Sequence, residues 1–168
     1  ALLAHNAQFE EMFLKKYFDD VDQGETRESY CDSMYYLSLL FPERSTLNLE
    51  SFMIDFGIAE KEEHRGFEDS VALLQVILMA TFIAKQDKEL SAFLHQQFME
   101  FDSEEFWYKK FFALEEVELI EIADQINFKL VDLAQSYIAS YNVTSEFIDE
   151  PLDKVDIKFS GDNIKNIL

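Results

Sequence analysis

Hydrophobic positions along this chain recur mostly at helical spacing, with two short interruptions near the start that read as strands. Ala1 to Ala4 is an apolar run ending at His5, consistent with a buried strand. Phe9, Phe13, Leu14 and Phe18 then recur at intervals that predict a helix over residues 8–18. Asp19 to Glu28 is polar, contains Gly24 and reads as a loop. Ser29 to Asp32 reads as a second short strand feeding a helical segment, Met34 to Leu40, that Pro42 helps to stop. Ser45 or Thr46 is placed to cap the next helix, with Leu49, Phe52, Met53 and Phe56 on one face and Gly57 as its left-handed stop. After a charged loop, Ala59 to Glu63, the strongest helical signal of the chain runs from about Asp69 to Ala84.

Beyond Lys85 the pattern is helical almost throughout. Helix signals follow over Lys88 to Met99, over Glu104 to Phe112 behind a Ser103 cap, and across Leu114 to Tyr141. Strand-like alternation returns at Val155 to Phe159. The expected organisation is therefore a first unit over residues 1–85, a helical appendage over 86–143 and a connector over 144–168 that leads toward a further module. Phe98, Phe101, Phe106, Trp107, Phe111 and Phe112 cluster in the appendage. Base stacking needs basic side chains around such rings, and Lys109 and Lys110 are the ones at hand, so these aromatics read as core.

Composition narrows the class. Four Gly and two Pro in 168 residues leave little for the tight turns of sandwiches and barrels, so the chain reads as α-rich. The apolar run Val71 to Ala84 is interrupted by Gln75 and Thr81 and is short for a bilayer span, so no membrane association is expected. Cys31 is alone and forms no internal disulfide, which makes a cytoplasmic location the default. The formal net charge of −20 lacks the basic face that duplex DNA draws on. Neither half hides a basic module: residues 1–85 hold 16 acids and 7 bases, and residues 86–168 hold 18 and 7.

Candidate chemistry lies at two helix starts. His64 stands five positions before Asp69, and Glu10 opens the first helix after His5 and Asn6. Carboxylate oxygens suit Mg²⁺ or Mn²⁺, whereas no cysteine or histidine cluster offers a zinc site. Phosphodiester hydrolysis by two metal ions needs carboxylates converging on cations about 4 Å apart and a base for the attacking water. His64 titrates near neutrality, as such a base should. Each residue taken alone reads as an ordinary surface position; the joint spacing is what points to metal chemistry.

The motifs resemble those of the DEDDh exonucleases. Ala4-His5-Asn6-Ala7-Gln8-Phe9-Glu10-Glu11-Met12-Phe13-Leu14 resembles that family's second motif, His-Asn-x-x-Phe-Asp-x-x-Phe-Leu, and His64 to Asp69 resembles the third, His-x4-Asp. Tyr30-Cys31-Asp32-Ser33 through Phe41-Pro42, and the helix Leu47 to Ile58, are similar to the segments between them. The resemblance covers roughly the first half of the chain. It implies the C-terminal portion of a ribonuclease H-like fold, with two short strands plus helices, followed by an all-helical appendage.

By position, the resemblance implies His64 as general base and Glu10 and Asp69 as ligands of a two-metal Mg²⁺ or Mn²⁺ site. Asn6, Phe9 and Arg65 would shape the motifs beside the substrate, a single-stranded 3′ end of DNA. Asp32 falls in a recurring segment without being one of the family's four acidic positions, which implies a structural role. The sequence departs from the family in two places. Glu10 stands where the second motif has aspartate, and no Asp-x-Glu on an apolar strand precedes it. The chain is thus expected to be a fragment whose first motif lies elsewhere, with a missing segment or a second copy in a homo-oligomer completing the sheet. The layout is similar to exonuclease-fused, DinG-type helicases. The competing expectations are a degenerate nuclease-like module that serves interaction or positioning, and a helical adaptor that binds protein through its aromatic second half.

Overall fold

A computed structural model describes residues 2–20, 30–60, 66–100 and 107–146. Strand β1 (Leu2–Ala4) is followed by helix α1 (Ala7–Asp20) and strand β2 (Tyr30–Asp32). The strands are parallel, with Leu2 opposite Tyr30, Leu3 opposite Cys31 and Ala4 opposite Asp32. Parallel strands cannot be joined by a hairpin, and α1 lies in the crossover between them, packed on both. Helices α2 (Ser33–Leu40), α3 (Leu49–Asp55), α4 (Gly66–Gln86), α5 (Lys88–Glu100), α6 (Trp107–Phe112), α7 (Glu116–Gln125) and α8 (Leu130–Glu146) complete the order. The chain is α-rich with a small parallel sheet, an α/β arrangement in which helix dominates.

The core is built around α4. A helix that is apolar nearly all round must be covered nearly all round, and α4 packs against α2, α3, α5, α7 and α8. Val76, Ile77, Leu78, Met79 and Ala80 are fully buried in its middle. By length and a mean hydropathy of 1.6 the same helix would suit a bilayer, yet 56% of that apolar window is buried within the protein. The sequence expectation of a run too short for a bilayer is thus revised in length, because the helix has 21 residues.

One polar chain crosses this core. The Thr81 hydroxyl donates to the Ile77 carbonyl at 2.7 Å and so accepts from the Tyr36 hydroxyl at 2.8 Å, leaving neither buried oxygen unpaired. Burial pushes the Tyr36 phenol far up, outweighing the opposing effect of its bond to Thr81. The Tyr36 ring packs against Trp107, Tyr108 and Phe111. A second aromatic group joins Phe41, Phe52 and Phe56 to Tyr137. Both groups tie the region before residue 85 to helices after it, so a single hydrophobic core runs from Tyr36 to Ala134.

Several boundaries differ from the sequence expectation. Asn48, not Ser45 or Thr46, caps α3, because its Oδ1 stands one position before Leu49 and accepts from the Ser51 amide at 2.8 Å. Helix α4 starts at Gly66, three residues earlier than expected. The helical signal across Leu114 to Tyr141 resolves into two helices, α7 and α8. It breaks at Asn127, which adopts φ 52°, while the Phe128 amide reaches back to the Ala123 carbonyl at 2.9 Å and the Asn127 amide to Asp124 at 3.1 Å. This is the Schellman pattern with asparagine in the left-handed position. Gly57 ends α3 in the same way, with φ 68° and the Ile58 amide on the Met53 carbonyl at 2.8 Å. Helix α8 runs to Glu146, so the expected connector does not begin at residue 144; its remainder, the Ser103 cap and the Val155 to Phe159 alternation lie outside the described residues.

Candidate functional site

The junction where β1 passes into α1 is organised by a polar knot. Asn6 precedes the helix with φ 67°, a left-handed conformation that asparagine tolerates better than most residues. This turn aims the Asn6 and Ala7 amides at the Asp32 side chain, which accepts from Asn6 through Oδ1 at 3.2 Å and from Ala7 through Oδ2 at 3.0 Å. Asp32 also caps α2, accepting from the Met34 amide at 2.9 Å. The next residue, Ser33, is fully buried and its hydroxyl meets His5 Nδ1 at 2.9 Å. The other ring nitrogen, Nε2, is sealed from solvent without a partner in bonding geometry. Burial lowers the His5 pKa, opposed by the Leu47 backbone and by the Asp32 charge, so the neutral ring is favoured.

Glu10 sits in the first turn of α1 and is exposed, where the positive end of the helix favours a carboxylate. Phe9 beside it is 59% exposed, and Met12 and Phe13 extend the same apolar stripe at helical spacing. Asn6 leaves its side chain exposed at the foot of this helix. Asp69 sits half-buried in the first turn of α4, with Phe67 exposed just before it and the Ser70 hydroxyl donating to the Gly66 carbonyl at 2.6 Å. His64 and Arg65 lie outside the described residues. Glu10 and Asp69 thus each occupy a helix N-terminal turn, as the helical spacing in the sequence expects.

The donor chemistry of these two side chains suits a hard divalent cation, since both present carboxylate oxygens. Among the described residues, however, no three acids, histidines or cysteines come together closely enough to hold a metal ion. Glu10 and Asp69 are the described residues whose carboxylates the motif resemblance would assign to such an ion. Cys31, on β2, is no substitute chemistry: burial raises its thiol pKa, the opposite of what an activated nucleophile requires.

An open cleft of about 600 Å³ lies elsewhere, lined by Phe41, Pro42, Ile83, Ala84, Leu90 and Ile138 among others. Ile83 and Asp69 are 14 residues apart on α4, about 21 Å at a helical rise of 1.5 Å per residue. The cleft therefore lies toward the opposite end of α4 from Asp69.

No protein-family model matches this chain, and neither a curated protein nor a solved structure does.

The residues that organise the junction were under-read from sequence. In the sequence His5 and Ser33 stand out only as members of motif segments, and Asp32 as a structural residue. The local signal was present, because an Asp immediately ahead of an apolar helical run reads as an N-cap. The bond across 25 residues to Ala7 carries no such signature.

Proposed function

We propose that this chain is the C-terminal part of a DEDDh-type, ribonuclease H-like 3′→5′ exonuclease domain acting on single-stranded nucleic-acid ends with Mg²⁺ or Mn²⁺. The observation that carries the reading is the pairing of motif with element. The second-motif acid, Glu10, opens the crossover helix of a parallel β-α-β unit, and the third-motif acid, Asp69, opens the central helix α4. In this reading Glu10 and Asp69 donate carboxylate oxygens, His64 takes the proton of the attacking water, and Phe9 and Asn6 border the strand end. A bound divalent cation would supply charge neutralisation at the phosphodiester and a more acidic water. The acidic surface disfavours a duplex, and an unpaired 3′ end presents fewer phosphates to it.

A second reading, a nuclease-like module retained for interaction, draws on two features. Glu10 is longer than aspartate by a methylene, and a carboxylate misplaced by about 1 Å can cost two orders of magnitude in rate. The exposed Phe9, Met12 and Phe13 would suit a protein contact.

The test is mononucleotide release from a labelled single-stranded oligonucleotide with Mn²⁺, using the full natural polypeptide that carries this sequence. The enzyme reading expects 3′→5′ trimming that Asp69→Ala abolishes and His64→Ala strongly reduces. Trimming unchanged in both variants would overturn it. The chain by itself is expected to hydrolyse negligibly.

A further inference from the structure

We propose that Asp32 is a positioning residue for the candidate site, its carboxylate fixing the first turn of α1 and therefore the place of Glu10 relative to the sheet. The role rests on the reading of Glu10 as a metal ligand. An N-cap needs one acceptor for its own helix, and Asp32 meets that need through the Met34 amide. Its remaining capacity goes to a different helix, to the Asn6 and Ala7 amides that begin α1. One carboxylate thus closes the N-termini of two helices, each of which favours negative charge there.

The register explains why a single residue can do this. Ala4 lies opposite Asp32 in the parallel pair, so the side chain leaves the sheet where β1 hands over to α1. The left-handed turn at Asn6 brings both amides round to it, and the Phe9 amide then bonds the Asn6 carbonyl at 2.9 Å to start the helix. Glu10 follows Ala7 by three residues, about one helical turn. The Ser33 to His5 bond clamps the same junction from its buried side. No neutral side chain reproduces the arrangement. An asparagine would set its NH₂ donors against the Ala7 or the Asn6 and Met34 amides, and a serine has too short a reach to serve both helices.

The experiment is a Mn²⁺ titration of the whole chain at moderate salt, read residue by residue as paramagnetic broadening of backbone amides, with amide hydrogen exchange measured in parallel. Wild type is compared with Asp32→Asn, with Asp32→Ser, which keeps the α2 cap should the asparagine variant fail to fold, and with Asn48→Ala. The last removes the α3 cap, whose side chain bonds the Ser51 amide and none of the Asp32 partners.

The Asp32 variants are expected to raise the Mn²⁺ concentration for half-broadening around Glu10 about tenfold, the usual scale for a lost supporting partner. They should also speed exchange at Ala7. Asn48→Ala should stay within about twofold of wild type, as expected for independent sites. Localised wild-type broadening that the Asp32 variants leave unmoved would overturn the positioning role alone. Wild-type broadening that never localises at Glu10 overturns the metal reading and the role toward it. The Ala7 exchange then reports separately whether Asp32 anchors α1.

Discussion

The α4-centred core and the β1-α1-β2 unit are held by different physics. Around α4, stability comes from apolar area removed from water on nearly every face, and the polar exception, the Tyr36-Thr81-Ile77 chain, is fully satisfied. In the β-α-β unit the strands are three residues long, and Phe9, Met12 and Phe13 stand more than half exposed on α1. What organises that unit is a set of polar contacts converging on Asp32, Ser33 and His5. A close-packed core loses most when a large buried side chain is truncated, whereas the polar junction depends on the direction of each of its bonds. Residues for chemistry would gain from the second arrangement, because hydrogen bonds fix direction where apolar burial does not.

The contrast can be broken most forcefully in the core. Phe52 is fully buried between Phe41 and Phe56, with the Arg44 guanidinium 4.0 Å from its ring centroid. Phe52→Ala should cost about 3–5 kcal/mol in denaturant unfolding, the range for large-to-small aromatic truncation. A loss below about 1 kcal/mol would show that the site is not core.

Thr81→Val tests whether the buried polar chain matters beyond its shape. It removes the acceptor of the Tyr36 hydroxyl at nearly constant volume, so a loss of about 1–3 kcal/mol is expected. The double variant with Tyr36→Phe should recover part of that loss, since no hydroxyl is then stranded. Equal stability of single and double variants would contradict the coupling.

At the junction, Asn6→Val should destabilise by about 1–2 kcal/mol while Asn6→Gly is nearly neutral, because the left-handed backbone penalises a β-branched side chain and not glycine. Thermal melts of the two variants check this, and indistinguishable midpoints would argue against the left-handed turn.

The smallest effect expected is with pH. His5 has its pKa lowered in the folded state by burial, so the unfolded chain binds this proton more readily. Stability from the neutral ring is present in full above the ordinary histidine range near 6.5, and falls as pH drops through that value toward the lower folded one. Melts between pH 7.5 and about 5.5, above the carboxylate range, should show a decline that His5→Gln flattens. A slope unchanged by that substitution would remove His5 as its source.

Much of this arrangement is legible in the sequence, and the exceptions have physical reasons. Gly57 announces the end of α3 because glycine is the usual left-handed residue, whereas Asn127 makes the same Schellman stop between α7 and α8 with a residue common everywhere. The strands, α1 and the buried faces of α3 and α4 follow from spacing. The Asp32 bonds to Asn6 and Ala7 do not, because they join positions 25 and 26 residues apart. The aromatic side chains of α6 read as core because Lys109 and Lys110 alone make too sparse a basic surface for base stacking, and Trp107 and Phe111 pack on Tyr36 as such. Glu10 and Asp69 were readable as helix-start acids; whether they share a cation is a question of distance that spacing cannot carry.

That question is the central one. Substituting Glu10→Gln and Asp69→Asn separately and together, and mapping Mn²⁺ broadening over the backbone amides, measures it directly. If the two acids serve one site, broadening in wild type concentrates around both residues, and either single substitution weakens it at both. Broadening spread evenly over the acidic surface, or loss confined to the substituted position, would contradict a shared metal site.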